Sequence, residues 1–582
     1  MNSPNDQPPD PNPDQSTGIL NGDGPQGSWW RRFLAWGKTP NGKYTVGTLK
    51  YTGFGLMMVF FWLLWGDFLY TLLDGNIPGI LPLKLKRIGA NDQVNQILNR
   101  TIAYGASFLF DPLVSTRSDR ARTRFGRRMP YLFWSTPFVG LFLVGIGCFE
   151  SLTRMFTGGA EQASFMGYTL SVNTVRLIVL AVMIIGWDMA NIFVGNVYWY
   201  LFNDVVPSQY LSRFLALFRI VGAAAGMAYS KWIFPHSLDH FQTIFVVAGI
   251  AYGVGFLFMV IFIREGEYPP PPPLVENSTK WYERWNESIH TYARECFCHR
   301  LYWFFYLAST CVFMSGMAGR TFNTIRNVDV LKISMTDLGE LGFWTGLVAL
   351  LLQYPAGWLA DRWSPVRVYL IASLWSILGV VLQCAWVFVN FDDYFHNGNL
   401  KFMWVTSLAF MPLGAIREAS ELPMYMRILP KERYGQFCSA NAMIRAFAMM
   451  YGSIVAGWFI ASLEPRFGEW RYTWTSVWVL MWQVPGVVMV VLMYRTWKRL
   501  GGGKNYVPPV AAHDVYLPPL SAILGSIIGF SLGFVGWCGW LPGLWKLNII
   551  VPALGWAGLA LCIFWMFVAR AAHKRNTSAG VT

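Results

Sequence analysis

One group of ionisable side chains interrupts an otherwise apolar stretch in the C-terminal half of the sequence. Arg417 and Glu421 are four residues apart and so share one face of a helix, and Glu418 lies one turn from Glu421. Pro412 and Pro423 lie on either side and free backbone carbonyl groups for a ligand or for water. Charge at bilayer depth is costly unless it is paired or hydrated, so we predict a binding site here, with Glu418 or Glu421 coupling an ion. A structural pair that is neutralised internally is the alternative.

Further ionisable residues also lie inside apolar segments. These are Asp67, Asp111, Asp188, Arg219 and Arg445. By the same energetic argument, each is a candidate for substrate or ion binding. Asp67 and Asp188 could instead lie at the outer interface, where water satisfies a carboxylate, and Asp111 could cap a helix end. The two arginines could be helix-packing residues, and the sequence leaves these alternatives open.

The segments around these candidates predict a membrane protein. The chain has 582 residues, of which 54% are hydrophobic and 13% charged, and its mean hydropathy is +0.35. The apolar residues form blocks close to the ~20 residues that cross a bilayer as an α-helix, which excludes an ordinary soluble protein. We predict an all-α polytopic membrane protein of two six-helix bundles with two extra C-terminal transmembrane helices. The predicted spans lie near 51–73, 94–115, 130–150, 176–202, 212–234, 241–263, 301–320, 339–360, 367–390, 402–424, 437–461, 473–494, 520–541 and 546–569.

Composition divides the chain into five parts. Residues 1–28 are almost free of apolar side chains and are predicted to be a disordered tail. Residues 29–263 form the N-terminal six-helix bundle with a basic juxtamembrane start, and 264–300 a central cytoplasmic loop. Residues 301–500 form the C-terminal six-helix bundle. Residues 501–582 hold a linker, the two additional transmembrane helices and a tail.

The basic residues predict an orientation rather than a nucleic-acid partner. The net charge is +14, and the Lys and Arg residues occur in short clusters between apolar blocks. The positive-inside rule explains this distribution better than nucleic-acid binding does. We expect a monomeric, multi-pass protein of the plasma membrane, in contact with the lipid bilayer and with both termini cytoplasmic.

Two loops carry the same charged pair, Asp-Arg, after the second and the eighth span. A carboxylate at a helix end that faces Arg127 and Arg128 would form charge-assisted hydrogen bonds able to lock one access state. The alternative is that these arginines are only positive-inside anchors. The predicted gating residues are Asp119, Arg120, Arg127, Arg128, Asp361 and Arg362.

A shift of 223 residues aligns parts of the two halves. It places Met227 on Met450 and Ser230 on Ser453. Duplicated halves that hold a substrate between them near the membrane midplane are the build of many secondary transporters. The sequence therefore predicts a site between the halves.

Residues 111–130 carry a more specific pattern. Their sequence, DPLVSTRSDRARTRFGRRMP, resembles the signature DP-x-x-G-x-x-S-D-R-T-x-S-R-W-G-R-R-R-P of the glycoside-pentoside-hexuronide:cation symporters, a branch of the major facilitator superfamily. Residues 357–362 look like the general G-x-x-x-D-R loop motif of that superfamily. The resemblance implies two six-helix bundles and cation-coupled transport of sugars or glycosides.

The resemblance also implies roles for single residues. Asp111 would help to bind the coupling cation, and Trp199 and Arg219 stand at sugar-site positions. Ser107 and Gly195 stand where the family has acids. This departure keeps lipid-like or other organic anion substrates open, because the intramembrane arginines could serve a carboxylate or a phosphate.

What the sequence lacks narrows the function further. It has no phosphate-binding loop, its seven histidines lie in predicted loops or tails, and its eight cysteines are scattered. We therefore expect no enzyme, no metal site and no cofactor beyond a coupling ion, H⁺ or Na⁺. The predicted function is secondary active symport of a small organic solute by alternating access. A non-transporting membrane sensor or scaffold with a transporter-like fold is the alternative.

Overall fold

The computed structural model describes residues 44–158, 162–165, 168–267, 296–297, 299–430, 433–503 and 505–509. Twelve long α-helices follow one another in this part of the chain. Their bounds are α1 Gly53–Tyr70, α2 Ile102–Arg120, α3 Met129–Gly147, α4 Val172–Val205, α5 Ser208–Ala228, α6 Phe241–Phe262, α7 Arg300–Ile325, α8 Met335–Trp363, α9 Pro365–Gln383, α10 Gly398–Ile428, α11 Tyr434–Ser462 and α12 Thr475–Arg499. Each of the first twelve predicted spans coincides with one of them, and the all-α fold class is confirmed. The predicted spans 520–541 and 546–569, the tail 1–28 and most of the loop 264–300 lie outside the described residues.

Eight stretches of the described chain are long and apolar enough to cross a membrane, judged by length and composition. They cover nine of the twelve helices. The other three, α2, α5 and α10, fall outside these stretches. They carry five of the nine candidate binding residues: Asp111, Arg219, Arg417, Glu418 and Glu421.

The chain between α1 and α2 is helical over most of its length. A π-helical turn, Thr71–Asn76, and a 3-10 turn, Ile77–Ile80, continue α1 into a short helix, Leu81–Ile88. A second short helix, Asp92–Gln96, then leads through the π-helical segment Ile97–Thr101 into α2. Lys86 and Asp92, two charged residues of this connection, contact the C-terminal half.

The first six helices pack with one another, and so do the last six. Glycines allow the closest approaches. A Cβ atom on Gly140 of α3 would lie 2.7 Å from the carbonyl oxygen of Gly249 of α6, and one on Gly486 of α12 would lie 3.0 Å from the Cβ of Cys311 of α7. Small residues at such crossings are how helices pack tightly where no water drives them together.

The two halves meet through two equivalent helix pairs, α2 with α11 and α5 with α8. In the first pair, the Sδ of Met450 lies 3.2 Å from the position of a Cβ on Gly105. In the second pair, the Cγ of Met227 lies 2.9 Å from the position of a Cβ on Gly346. The two methionines are those aligned by the 223-residue shift, so each plays the same part in its own half.

The two aligned serines behave in the same way. The hydroxyl oxygen of Ser453 on α11 lies 2.7 Å from that of Thr101, which directly precedes α2. The hydroxyl oxygen of Ser230, just beyond α5, lies 2.9 Å from the position of a Cβ on Gly342 of α8. Both correspondences indicate that the two halves are structural repeats.

We call the end of the helices that carries loop 121–128 the basic face, and the end that carries residues 464–474 the opposite face. The described chain begins and ends at the basic face. A hairpin of β1 (Tyr44–Val46) and β2 (Leu49–Tyr51), which the sequence analysis did not predict, is bound there because the Thr48 hydroxyl accepts from the backbone N–H of Glu267 at 2.7 Å. At the other end of the chain, the Tyr506 hydroxyl donates to the carbonyl of Ile428 at 2.7 Å.

Buried charges join the two halves at the opposite face. Asp92 of the N-terminal half accepts from the Nε of Arg471 at 2.9 Å and from the hydroxyl of Tyr472 at 2.7 Å. Asp92 and Arg471 are 5% and 6% exposed. Lys86 pairs with Asp329 at 3.2 Å, and its ammonium lies 4.5 Å from the centre of the Tyr472 ring.

The contacts between the halves fade towards the basic face. Phe108 and Phe447, whose ring centres are 6.1 Å apart, form the contact between the halves that lies nearest the basic face. This holds for the hydrogen bonds, ion pairs and ring contacts among described side chains. Beyond this level, Tyr354 and Trp358 of α8 are 85% and 54% exposed. The structure is therefore closed at the opposite face and more open at the basic face.

Candidate functional site

A cavity of about 330 Å³ lies within the N-terminal half, between the α1–α2 region and α4. The residues of its wall that carry polar groups are Asn99, Arg100, Ser107, Asp188, Asn191 and Asn196. Its aromatic lining includes Tyr70, Trp187 and Trp199. A cavity of this size and mixture of groups suits a small polar solute.

Helix periodicity places the α4 residues on this wall. Asp188, Asn191, Gly195 and Trp199 follow one another at intervals of three or four residues and so share one face. Asp188 is buried and is the seventeenth of the 34 residues of α4, which places it near the middle of the helix. Trp199 is 48% exposed, and its ring lies 5.0 Å from that of Phe218 on α5.

Arg100 is a cavity residue that the sequence analysis missed. It lies in the π-helical segment Ile97–Thr101, and such segments are frequent at functional sites. Its Nε atom is buried, and within the described part of the chain its guanidinium has no hydrogen bond or ion pair. The signal was present in the sequence, because Arg100 lies inside the predicted span 94–115.

Asp111 connects the second helix to the cavity wall. The Nδ2 of Asn196 donates to a carboxylate oxygen of Asp111 at 2.7 Å and also to the carbonyl of Ile192 at 3.1 Å. Asp111 is half-buried and lies one turn after Ser107 on α2. Replacement of Asp111 would therefore remove a hydrogen-bond acceptor of Asn196, which lines the cavity.

Asp67 is fully buried in α1, behind the cavity. The hydroxyl of Thr71 donates to its Oδ1 at 3.1 Å, whereas its Oδ2 has no partner among the described residues. Gly222 of α5 lies against this carboxylate: a Cβ there would be 3.6 Å from Oδ2. The structure thus places Asp67 in the core of the half-molecule rather than at a hydrated interface.

Aromatic side chains lie between Asp67 and the cavity. Tyr70, one turn after Asp67, lines the cavity, and a Cβ on Gly195 would lie 2.9 Å from its hydroxyl. Its ring centre is 6.1 Å from that of the buried Tyr198. Gly195 therefore leaves room for Tyr70 where an acidic side chain would not fit without displacing it.

The charged group on α10 lies apart from this cavity. Glu421 accepts from the hydroxyl of Tyr425 at 2.5 Å, and that hydroxyl is 3.5 Å from Ser309 of α7, so the carboxylate belongs to a network inside the C-terminal half. Glu418 is exposed and Arg417 half-buried. The predicted role of these residues in binding or coupling stays a prediction.

The two remaining arginine candidates do not line the cavity either. The guanidinium of Arg445 lies 4.1 Å from the centre of the Phe313 ring, a contact between α11 and α7. Arg219 of α5 is exposed. Their substrate roles also stay predictions.

The loop at the basic face is held by two acids that the sequence analysis did not select. The carboxylate of Asp204, at the end of α4, accepts from the Nε of Arg127 at 3.0 Å and from the Nε of Arg128 at 3.2 Å. Glu265 accepts from the backbone N–H groups of Arg127, Arg128 and Met129 at 2.7 to 3.0 Å, and so caps the start of α3. These contacts join α3 to α4 and to the chain that follows α6.

The other predicted gating residues are only partly described. The side chains of Asp119, Arg120 and Asp361 lie outside the described residues. Arg362 is exposed, and its guanidinium lies 5.1 Å from the centre of the Trp358 ring. The gating role predicted for these four residues stays a prediction.

Comparison with known proteins rests on structure alone, because no family model and no curated sequence matches the chain. The chain resembles a bacterial homologue of the human lysosomal transporter Spinster in an inward-facing, occupied conformation (TM-score 0.52, 12% identity, 78% of this chain and 98% of that chain). It resembles a bacterial homologue of the iron transporter ferroportin in its inward-facing state (TM-score 0.54, 13% identity, 75% and 99%) and a D-xylose-proton symporter (TM-score 0.50, 11% identity, 76% and 98%). At these identities the likeness establishes that the chain shares the fold of these solved transporters.

Proposed function

We propose that this chain is a secondary active transporter that moves a small organic solute by alternating access and couples the movement to protons. The observation that carries the proposal is a polar cavity at mid-helix depth in a fold of two repeats whose contacts with each other are concentrated towards one face. A rocking of the two repeats would open this region to each side in turn. The likeness to solved transporters, one of them named a proton symporter, supports it.

Asp67 favours a proton over a metal ion as the coupling species. A charged carboxylate in this apolar core is costly, and a proton neutralises it without further ligands. Sodium would need several oxygen ligands, whereas Thr71 is the one described residue bonded to the Asp67 side chain. The coupling role predicted for Glu418 or Glu421 remains the competing proposal.

The branch and the substrate class are also proposals. The pattern of residues 111–130 and the position of Trp199 support a glycoside-pentoside-hexuronide:cation symporter-like chain. Ser107 and Gly195 stand where that family has acidic residues, and this argues against assigning the family's substrates to this chain without a test. We further propose that the chain works as a monomer in the plasma membrane with the basic face, and both termini, in the cytoplasm.

Counterflow in proteoliposomes tests the transport proposal. Vesicles loaded with one unlabelled solute from a panel of sugars, nucleosides, amino acids and organic acids should accumulate the same labelled solute transiently. Empty liposomes are the control. A solute that binds the purified chain yet shows no counterflow would instead support a sensor.

We expect Asp119→Ala to slow counterflow while leaving solute affinity within a few-fold. Asp119 ends α2 at the basic face, away from the cavity, so its loss should affect exchange between access states more than binding. Arg124→Ala, which changes an exposed residue in the adjoining loop 121–128, is the control. A large loss of affinity with an unchanged exchange rate would contradict a gating role.

A further inference from the structure

We infer that the cavity binds an oxyanion, a carboxylate or a phosphate carried by a small organic solute, and that Arg100 is the residue that binds it. This rests on the proposed function only for the statement that the bound solute is also transported. The inference concerns Arg100 and not the arginines singled out by the sequence.

The surroundings of Arg100 require a partner. It lies eight positions along from Asp92, about 12 Å from that buried residue at the helical rise, and therefore inside the predicted span 94–115 and away from the opposite face. Within the described chain its guanidinium has no hydrogen bond or ion pair, and its Nε is shielded from solvent. An unpaired guanidinium at this depth is stabilised by water or by an anion in the cavity that it lines.

The chemistry of arginine selects the kind of group. A guanidinium presents N–H donors in a planar fork that matches two oxygens of a carboxylate or phosphate. The other large charged group of the cavity, Asp188, repels an oxyanion and is suited to a hydroxyl or ammonium group on the same solute. The wall therefore offers separate places for the acidic and the hydrogen-bond-donating ends of one molecule.

The size of the cavity limits the solute. A volume of about 330 Å³ is near the lower end of ligand pockets, so a small acid fits better than a nucleotide. Asn99 and Asn191 can add amide hydrogen bonds, although the Nδ2 of Asn99 already donates to Asn95. A lipid phosphate headgroup has the same chemistry and is the other possible source of the oxyanion.

Thermal unfolding of the purified full-length protein with matched probes tests the inference. The pairs are glycerol 3-phosphate with glycerol, and succinate with succinamide, and lysophosphatidate is the lipid probe. We expect at least one soluble acid to raise the unfolding temperature at a concentration roughly tenfold or more below that of its neutral partner. Arg100→Gln should abolish this preference, and Arg100→Lys should retain part of it.

Two outcomes overturn the inference. If neither soluble acid is preferred over its neutral partner and lysophosphatidate does not stabilise the wild-type protein either, or if Arg100→Gln leaves the preference unchanged, Arg100 has no anion-binding role. Stabilisation by lysophosphatidate alone would assign the site to a lipid headgroup. Acid binding without counterflow would support the anion site and contradict transport. Counterflow of neutral solutes only, unaltered by Arg100→Gln, would support transport and contradict the anion site.

Discussion

Asp67→Asn should abolish the accumulation of solute driven by a pH gradient while sparing counterflow. Asparagine keeps the size of the side chain and can still accept from Thr71, but it cannot bind and release a proton. Proteoliposomes that carry an imposed pH gradient measure accumulation, and the same vesicles without a gradient measure counterflow. The accumulation against the gradient should disappear, and the rate of counterflow should stay within a few-fold of that of the wild type.

The matched control for this prediction is Asp239→Asn, an exposed acid in the connection between α5 and α6. It should alter neither accumulation nor counterflow. If Asp67→Asn still concentrates solute, coupling lies elsewhere, and Glu418→Gln and Glu421→Gln on α10 become the next variants to test. Loss of both accumulation and counterflow would assign Asp67 to the fold or to solute binding instead.

Asp92→Asn should open the opposite face. The substitution removes the buried counter-charge of Arg471 and leaves it only the exposed Glu464 and Glu469, at 3.6 and 3.7 Å. Breaking a buried ion pair typically costs about 3–5 kcal/mol, and these two exposed acids offset part of that cost. This cost falls on the conformation in which the halves meet, so the population should shift towards a conformation open at the opposite face. We expect spin labels at the exposed positions 87 and 466, one in each half, to gain a longer-distance population.

Glu150→Gln is the control for Asp92→Asn. It removes the partner of Lys84 in an ion pair that lies within the N-terminal half and in which Glu150 is 52% exposed. Surface pairs of this kind contribute little, so the distances should not change. Equal distance distributions for Asp92→Asn and the wild type would show that the buried ion pair does not hold the closed face.

The helices could be predicted because the bilayer imposes a simple requirement on sequence. Apolar blocks of the right length mark the spans even where, as in α10, five charged residues reduce the signal. The ends were less predictable. Short helices and π-helical turns carry the chain on from Tyr70 to Asp92, and β1 and β2 form a hairpin from a stretch that was assigned only a basic character.

The candidate site could be predicted only in part, because pairing depends on distant residues. Asp204 and Glu265 are 77 and 137 residues from the arginine or backbone groups that they bind, and nothing in the local sequence indicates those partners. Asp67 was recognisable as an acid in an apolar span, but burial or hydration could not be decided without its neighbours. Arg100 lies inside a predicted span, but whether a single arginine there pairs with another residue or lines a cavity depends on neighbours that the local sequence does not show.

Access to a single cysteine in the cavity is the most direct test of alternating access at this site. Ser107→Cys, placed in a chain whose eight native cysteines are changed to serine, puts a thiol on the cavity wall. Inside-out and right-side-out membrane vesicles are treated with a membrane-impermeant maleimide. We predict labelling from both faces, faster from the basic face, with Asp92→Asn accelerating the reaction from the opposite face. Labelling of Ser107→Cys from one face only, both with and without Asp92→Asn, would contradict the account.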